Sequence, residues 1–281
     1  MSTIVITGAA RGIGHELVKR ALERGDTVFA GVRKLADASR FPASPNLHVV
    51  QLDVSDSASV EAAFVEIDRL LAGRPLDAVV NPAGISLPNA IELAPISEFE
   101  QTFNTNTFGS LRMLKASLPR LRGHGGRFVF VTSLWGRASG GLLASYCSSK
   151  HAIESIADVA RRETAGQNLH IIVAQPGVVI TDMLTGQASD IESKLPTMSA
   201  ELRPHYESMY KRYAKLTSGA VGSAITTAKA CENIEKALFA KKPRTRYQFG
   251  IDSKLVVFLS WLLPDRWMDA MMNASVNNKP L

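Results

Sequence analysis

Cysteine is scarce: Cys147 and Cys231 are the only two in 281 residues, too few for a disulfide framework. The six histidines, His15, His48, His124, His151, His170 and His205, lack any spacing that would set two on one helix face, so no metal site is expected. No run reaches the ~20 apolar residues of a membrane-spanning helix. A secretory leader is also not recognisable, because "MSTIVITGAARGIG" breaks into glycines before any long apolar stretch. A cytoplasmic protein is the expectation. Stacking aromatics do not interleave the two basic clusters, "KKPRTR" at 241–246 and "KRYAK" at 211–215, so the net charge of +6 reads as solvated surface and not as a nucleic-acid groove.

What is present is core-forming sequence, 46% hydrophobic, enough for one large domain spanning 1–281. Short β-branched runs recur at 3–7, 27–32, 47–52, 76–81, 126–132 and 169–175, each apolar on both faces as parallel strands are. Helical patterns at about 12–24, 57–72, 97–118 and 145–166 separate them, giving an α/β parallel sheet with helices on both sides. The alternation stops after Gln175. Residues 182–221, punctuated by Gly186, Pro196, Pro204 and Gly219, read as a lid over a site or, more plainly, as a surface insertion. A helix at about 223–240 and a strand near 246–250 resume the sheet within 222–250.

"TGAARGIG", Thr7 to Gly14, joins the first strand to the first helix, the context in which Gly8, Gly12 and Gly14 can turn sharply and admit a pyrophosphate to the helix N-terminus. Asp53 closes the third strand, where it can meet an adenine edge or simply cap the next helix. After the second strand there is no carboxylate for ribose hydroxyls. Arg33 stands there instead, with Arg11 in the glycine turn, and guanidinium pairs suit a 2′-phosphate. NADP(H) is therefore expected in preference to NAD(H).

"SYCSSK" puts Tyr146 and Lys150 four residues apart on one helix face, so that an ammonium can stabilise a phenolate. Ser133 lies just past the fifth strand, at the sheet edge where such folds bind ligands. The three residues form an acid/base constellation for a carbonyl oxygen.

With these motifs the sequence resembles the classical short-chain dehydrogenase/reductase family from Thr3 to about Thr181, in the order "TGAARGIG", "DV" at 53–54, "NPAG" at 81–84, Asn106 in "FNTNTFG", Ser133, "YCSSK" and "PGVVIT" at 176–181. The resemblance implies a doubly wound Rossmann fold of about seven parallel strands flanked by helices, and dimers or tetramers formed through the helices carrying Asn106 and Tyr146. It implies carbonyl/alcohol redox with Tyr146 as general acid/base. Lys150 would tune it and hold the nicotinamide ribose, Ser133 would polarise the substrate oxygen, and Asn106 would hold a relay water. It also implies dinucleotide contacts at Gly8, Ala10, Arg11, Gly12, Ile13, Gly14, Arg33, Asp53, Val54, Asn81, Ala83, Gly84, Pro176, Gly177, Val179 and Thr181, besides Tyr146 and Lys150. A non-catalytic dinucleotide sensor on the same fold is the alternative.

Pro82 departs from the family's usual second asparagine, and it requires the fourth strand to finish by Asn81. Trp135, Leu142 and Met183, with Ser133 and Tyr146, are expected to line a lipophilic substrate site. The extension 251–281 contains the most apolar stretch, Leu255 to Met272. Packing against the chain's own core or a second copy is expected of it, with contact of Trp261, Trp267 and its methionines with a lipid surface or a lipophilic substrate as the other reading.

Overall fold

The computed structural model describes residues 1–219 and 224–276. Seven strands form one parallel sheet in the order β3-β2-β1-β4-β5-β6-β7: β1 (Thr3–Ile6), β2 (Thr27–Val32), β3 (Leu47–Gln51), β4 (Ala78–Asn81), β5 (Gly126–Val131), β6 (Leu169–Pro176) and β7 (Arg246–Phe249). The chain starts in the middle, works outward to β3, then returns to place β4 beside β1. That reversal between β1 and β4 is where an open α/β sheet leaves a crevice. The fourth strand ends at Asn81 as Pro82 demands.

Alternating strand residues feed two cores. Ile4, Ile6, Val28 and Ala30 pack under α1 (Gly12–Glu23) and α8 (Thr227–Phe239) through Leu17, Val18 and Ile234. Val5, Phe29 and Val79 face α2 (Ser57–Leu71), α4 (Gly109–Leu121) and α5 (Ala144–Glu163) through Phe64, Ile67, Met113 and Ile153. A period of two on each strand thus satisfies both helix layers at once.

A helix α3 (Ile96–Phe103) runs into α4 through a π-helical segment, Asn104–Phe108, and this segment holds Asn106. A wider turn of this kind frees backbone groups in mid-helix and recurs at functional sites.

Residues 182–219 are more regular than the sequence suggests: they form α6 (Asp182–Lys194) and α7 (Arg203–Gly219). Positions 220–223, part of the expected lid and sheet end, lie outside the described residues, as do 277–281 of the extension. These helices share a third core with Leu142, Leu143 and Cys147, built on Ile191, Met198, Tyr210 and Tyr213. Four contacts tie the pair to the loop after β4. Gln187 Nε2 donates to Ser86 Oγ (2.9 Å), Lys194 Nζ to the Pro88 carbonyl (2.8 Å), Tyr206 Oη to Glu92 (2.7 Å) and Tyr210 Oη to Asn89 Oδ1 (2.5 Å).

The extension forms α9 (Ile251–Leu262) and α10 (Asp265–Val276), which packs back on α7 and α9. Burial against the chain's own core, one of the packings expected of it, is only partial: Ser253 is buried and Val256, Val257 and Leu259 are half-buried. Ile251, Leu255, Phe258, Trp261 and Leu262 line the outer face of α9, with Trp261 80% exposed. The inner face is also held by polar contacts. Among the described residues no helix is long and apolar enough to cross a membrane.

Tyr210 is fully buried, and its hydroxyl both accepts from the Ala90 N–H at 3.0 Å and donates to Asn89. Tyr210→Phe should cost about 1–3 kcal/mol by stranding those partners, seen as a lower Tm; an unchanged Tm would show that α6 and α7 are not latched through this residue.

Candidate active site

A cavity of about 500 Å³ runs along the carboxyl edge of the sheet. Gly8, Ala10, Arg11, Gly12, Ile13 and Gly14 form one end of its wall. The helix α1 begins directly behind them, and its N-cap, Arg11, makes no side-chain cap, leaving the first N–H groups free for an anion. A Cβ on Gly14 would lie 2.4 Å from the Gly8 carbonyl oxygen, so no side chain fits there. Such a cradle fits a pyrophosphate.

Arg11 and Arg33 both reach this wall and are exposed. Two further residues that the sequence pattern did not single out, Asp37 and Arg40, line the same part and pair with each other at 2.9 Å. The acidic group that follows β2 is thereby engaged by an arginine. Asp53 and Val54 line the cavity beyond the third strand. Asp53 is not the helix cap, because Asp56 accepts the Ala58 N–H and caps α2. It accepts instead from Ser55 N and Oγ at 2.9 and 2.6 Å, both through Oδ1.

Pro82, Ala83 and Gly84 line the floor. Proline's missing N–H removes no contact here, since the next one, Ala83 N–H, bonds Thr7 Oγ1 at 3.2 Å. Asn81 lies behind the wall, buried, and starts a chain of bonds that crosses the site. Thr7 Oγ1 donates to Asn81 Oδ1 (2.7 Å), Asn81 Nδ2 to Ser110 Oγ (2.8 Å), and Ser110 Oγ to the Asn106 carbonyl (2.6 Å). Asn106 Nδ2 then donates to Ser149 Oγ (3.0 Å), which donates to the Tyr146 carbonyl (2.7 Å). Ser110 and Ser149 carry no sequence signal of their own; only tertiary packing brings them into line.

Ser133, Tyr146 and Lys150 converge on the cavity, whereas Asn106 stands behind it and exchanges bonds with Ile85 through Oδ1 (2.8 Å) and Nδ2 (2.9 Å). Lys150 Nζ donates to the Val131 carbonyl at 3.0 Å and sits 5.6 Å from the Tyr146 ring centroid. Burial pushes the Tyr146 phenol up to about 12, opposed by its hydrogen bond with Ser133. Burial also pushes the Lys150 ammonium down to about 8, opposed by the charge of Glu154. At neutral pH the pair is a protonated phenol beside an ammonium, an arrangement that can give a proton to an oxygen.

The remaining wall divides in two. Pro176, Gly177, Val179 and Thr181 line the edge beyond β6, where the Thr181 hydroxyl also caps α6 at Leu184 N. Trp135, Leu143, Met183, Leu184, Tyr213 and Leu216 make the apolar side. Leu142, expected here, does not reach the wall. It packs in the third core beneath Leu143, its φ of +65° turning the side chain's backbone out of the regular path. Gln187 of α6 and Met272 of α10, within the segments expected near a substrate, also line the wall.

Asp252, in the first turn of α9, reaches the same edge: Oδ2 accepts the Val178 N–H at 2.6 Å. Its neighbour Ser253 donates to the Gln175 carbonyl at 2.9 Å. A Cβ on Gly177 would fall 2.0 Å from Asp252, so the carboxylate lies flat against the Gly177 backbone. An isolated carboxylate in an apolar extension gives no hint of this contact in sequence.

A sequence model of the short chain dehydrogenase family matches residues 2–192. This chain belongs to the short-chain dehydrogenase/reductase family. It is 30% identical to 3-amino-tetrahydro-pyrrolizinone reductase of Xenorhabdus hominickii, over 95% of this chain and 94% of that protein. With human 17-beta-hydroxysteroid dehydrogenase type 2 the identity is 32%, over 93% and 70%. Human retinol dehydrogenase 16 is 31% identical, over 96% and 87%. The same fold appears in a short chain dehydrogenase from Burkholderia cenocepacia J2315 in complex with NADP, with a TM-score of 0.71, 22% identity, and coverage of 98% and 97%. The chain is thus an oxidoreductase of a family that binds a nicotinamide dinucleotide, and the non-catalytic alternative draws no support.

Asp252→Ala should both lower Tm, by an amount equivalent to about 1–3 kcal/mol, and raise the dinucleotide Kd, because the Gly177–Val178 backbone loses its clamp. A Kd unchanged in a destabilised variant would limit Asp252 to holding the extension.

Proposed function

We propose that this oxidoreductase interconverts a ketone or aldehyde and an alcohol on a lipophilic substrate, with NADP(H) preferred over NAD(H). The observation that carries the reading is Tyr146, Ser133 and Lys150 converging on one cavity whose far side is apolar. A bound nicotinamide dinucleotide supplies or accepts the hydride. In the reducing direction Ser133 Oγ and Tyr146 Oη both hydrogen-bond the carbonyl oxygen, and Tyr146 gives its proton as charge develops there. Lys150, fixed by the Val131 carbonyl, stabilises the phenolate that remains. Asn106, buried behind and hydrogen-bonded to Ile85, holds the π-helical segment against the cavity.

The preference for NADP(H) is supported by Arg11 and Arg33, neither of which pairs with a carboxylate among the described residues, while Asp37 is engaged by Arg40. A 2′-phosphate would give both guanidiniums a charge-assisted partner. Lipophilic substrates are supported by the Trp135–Met183–Leu216 wall and by relatives named for retinol and hydroxysteroid chemistry. A homodimer or homotetramer and a cytoplasmic location belong to the same reading. Phe108 and Val159, exposed on the helix path carrying Asn106 and on α5, leave apolar surface for pairing. The outward stripe on α9 suits peripheral contact with lipid.

Tyr146→Phe is expected to lower kcat about 10²–10⁴-fold while the NADPH Kd changes little; retained turnover would remove the tyrosine from the reaction. Reduction should slow as pH rises through about 8, because the ammonium form of Lys150 is present below its folded pKa and lost above it. Nucleotide choice is read from the NADPH/NADH ratio of kcat/KM, which Arg33→Ala should cut about 10-fold or more. A panel of small ketones, steroid ketones, retinal and acyl thioesters tests the substrate class: a best turnover with small polar ketones would sink the lipophilic assignment.

A further inference from the structure

Glu154 lies on α5 one turn beyond Lys150 and is 3% exposed. An acidic side chain survives such burial only with its oxygens engaged. Oε1 accepts from Thr132 Oγ1 at 2.7 Å and from Gln175 Nε2 at 2.9 Å; Oε2 accepts from Arg246 Nε at 2.9 Å. Thr132 immediately precedes Ser133, and Gln175 immediately precedes Pro176. One carboxylate therefore grips the exit of β5, the end of β6 and the first residue of β7, directly behind two stretches of the cavity wall. A helix needs no charge to pack on a sheet, and a leucine there would avoid the desolvation cost of an ion pair. The charge calls for another reason.

We propose that Glu154 is a positioning residue for the reaction: it fixes Ser133 and Pro176 from behind and serves as the buried countercharge that keeps Lys150 an ammonium. This rests on the catalytic reading given above for Tyr146, Ser133 and Lys150. The surroundings leave Lys150 few other charges. On α5 it has Tyr146, Glu154, and farther along Asp158 and Arg161, which pair at 2.7 Å. From β7 comes Arg246, shared between Glu154 and Asp158. The neighbouring segments β5 and the π-helical turn bring the Val131 carbonyl, Thr132, Ser133 and Asn106, all neutral, and β6 brings neutral Gln175. From α9, Asp252 is turned onto the Val178 N–H. Burial works against the Lys150 charge, and Glu154 is the group that supports it.

The test compares the alkaline limb of carbonyl reduction, at saturating NADPH and with the fastest carbonyl of the panel, in wild type, Glu154→Gln and Arg246→Met. Both variants break the same ion pair, but they change the local charge in opposite senses. Glu154→Gln should move the limb to lower pH by about half a unit or more, and Arg246→Met should move it to higher pH. A purely structural role predicts lower Tm in both with unmoved limbs, or limbs that move together, and either result overturns the proposal. If Glu154→Gln does not fold, the direction of the Arg246→Met shift decides alone. Tyr146→Phe run beside them separates the two levels. Turnover retained there overturns the catalytic reading itself, whereas turnover lost there with unmoved limbs overturns only the role given to Glu154.

Discussion

The parallel direction of all seven strands is the constraint on which the rest depends. Parallel pairing sends every carboxyl end to the same edge, and many of the residues that line the cavity follow those ends within a few positions. Gly8 comes two residues after β1, Arg33 one after β2, Asp53 two after β3, Pro82 one after β4, Ser133 two after β5 and Gly177 one after β6. A single antiparallel strand would carry its loop to the far side. Register then fixes depth: Val5 opposite Phe29 and Val79 sets β1 level with both neighbours, so their exits form one continuous floor.

An edge of strand exits is rich in backbone groups that the ladder no longer satisfies, and something buried must engage them. Here the answer is a relay of small polar side chains. Thr7, Asn81, Ser110, Asn106 and Ser149 carry hydrogen bonds from the glycine turn to the backbone of Tyr146 without reaching solvent. Because a stranded partner in such a network costs more than the bond contributes, the relay holds the glycine turn and the Tyr146 backbone in one geometry. The departure at Pro82 is tolerated for the same reason. It falls at a position outside the relay, between Asn81, which is in it, and Ala83, whose N–H bonds Thr7.

How much of this was legible in sequence follows the range of the interactions. The strands were read almost to the residue, because burial on both faces leaves an unbroken apolar signature that needs no partner to be recognised. The glycine turn and the Tyr146–Lys150 spacing were legible because each is set by local geometry. Regular helices at 182–219 were not, since their apolar residues face a small private core with Leu142 and Cys147 and their polar residues reach the loop after β4. Leu142 was misread for a related reason: position in a wall-forming loop does not say which way a residue at positive φ turns. Glu154, Asp252 and Ser110 meet their partners 22, 74 and 29 residues away respectively, and no pattern within one element announces such pairs.

The apolar extension shows where hydropathy alone misleads. Its composition asks for burial, yet α9 is fastened by two polar side chains, Asp252 and Ser253, onto the backbone from Gln175 to Val178, while Ile251, Phe258 and Trp261 face outward. The arrangement becomes intelligible from the strand exit. The end of β6 and the turn after it offer the Gln175 carbonyl and the Val178 N–H, and Gly177 leaves room for a carboxylate against its Cα. A hydroxyl and a carboxylate on the first turn of a helix match those two groups; an apolar side chain cannot. The polar end of the extension is therefore committed to the cavity edge, and the stripe is left outside because the inner face is already taken. Met272, farther along on α10, brings the same segment back to the cavity wall. The extension thus touches the cavity edge at both ends, through Asp252 beside Gly177 and through Met272.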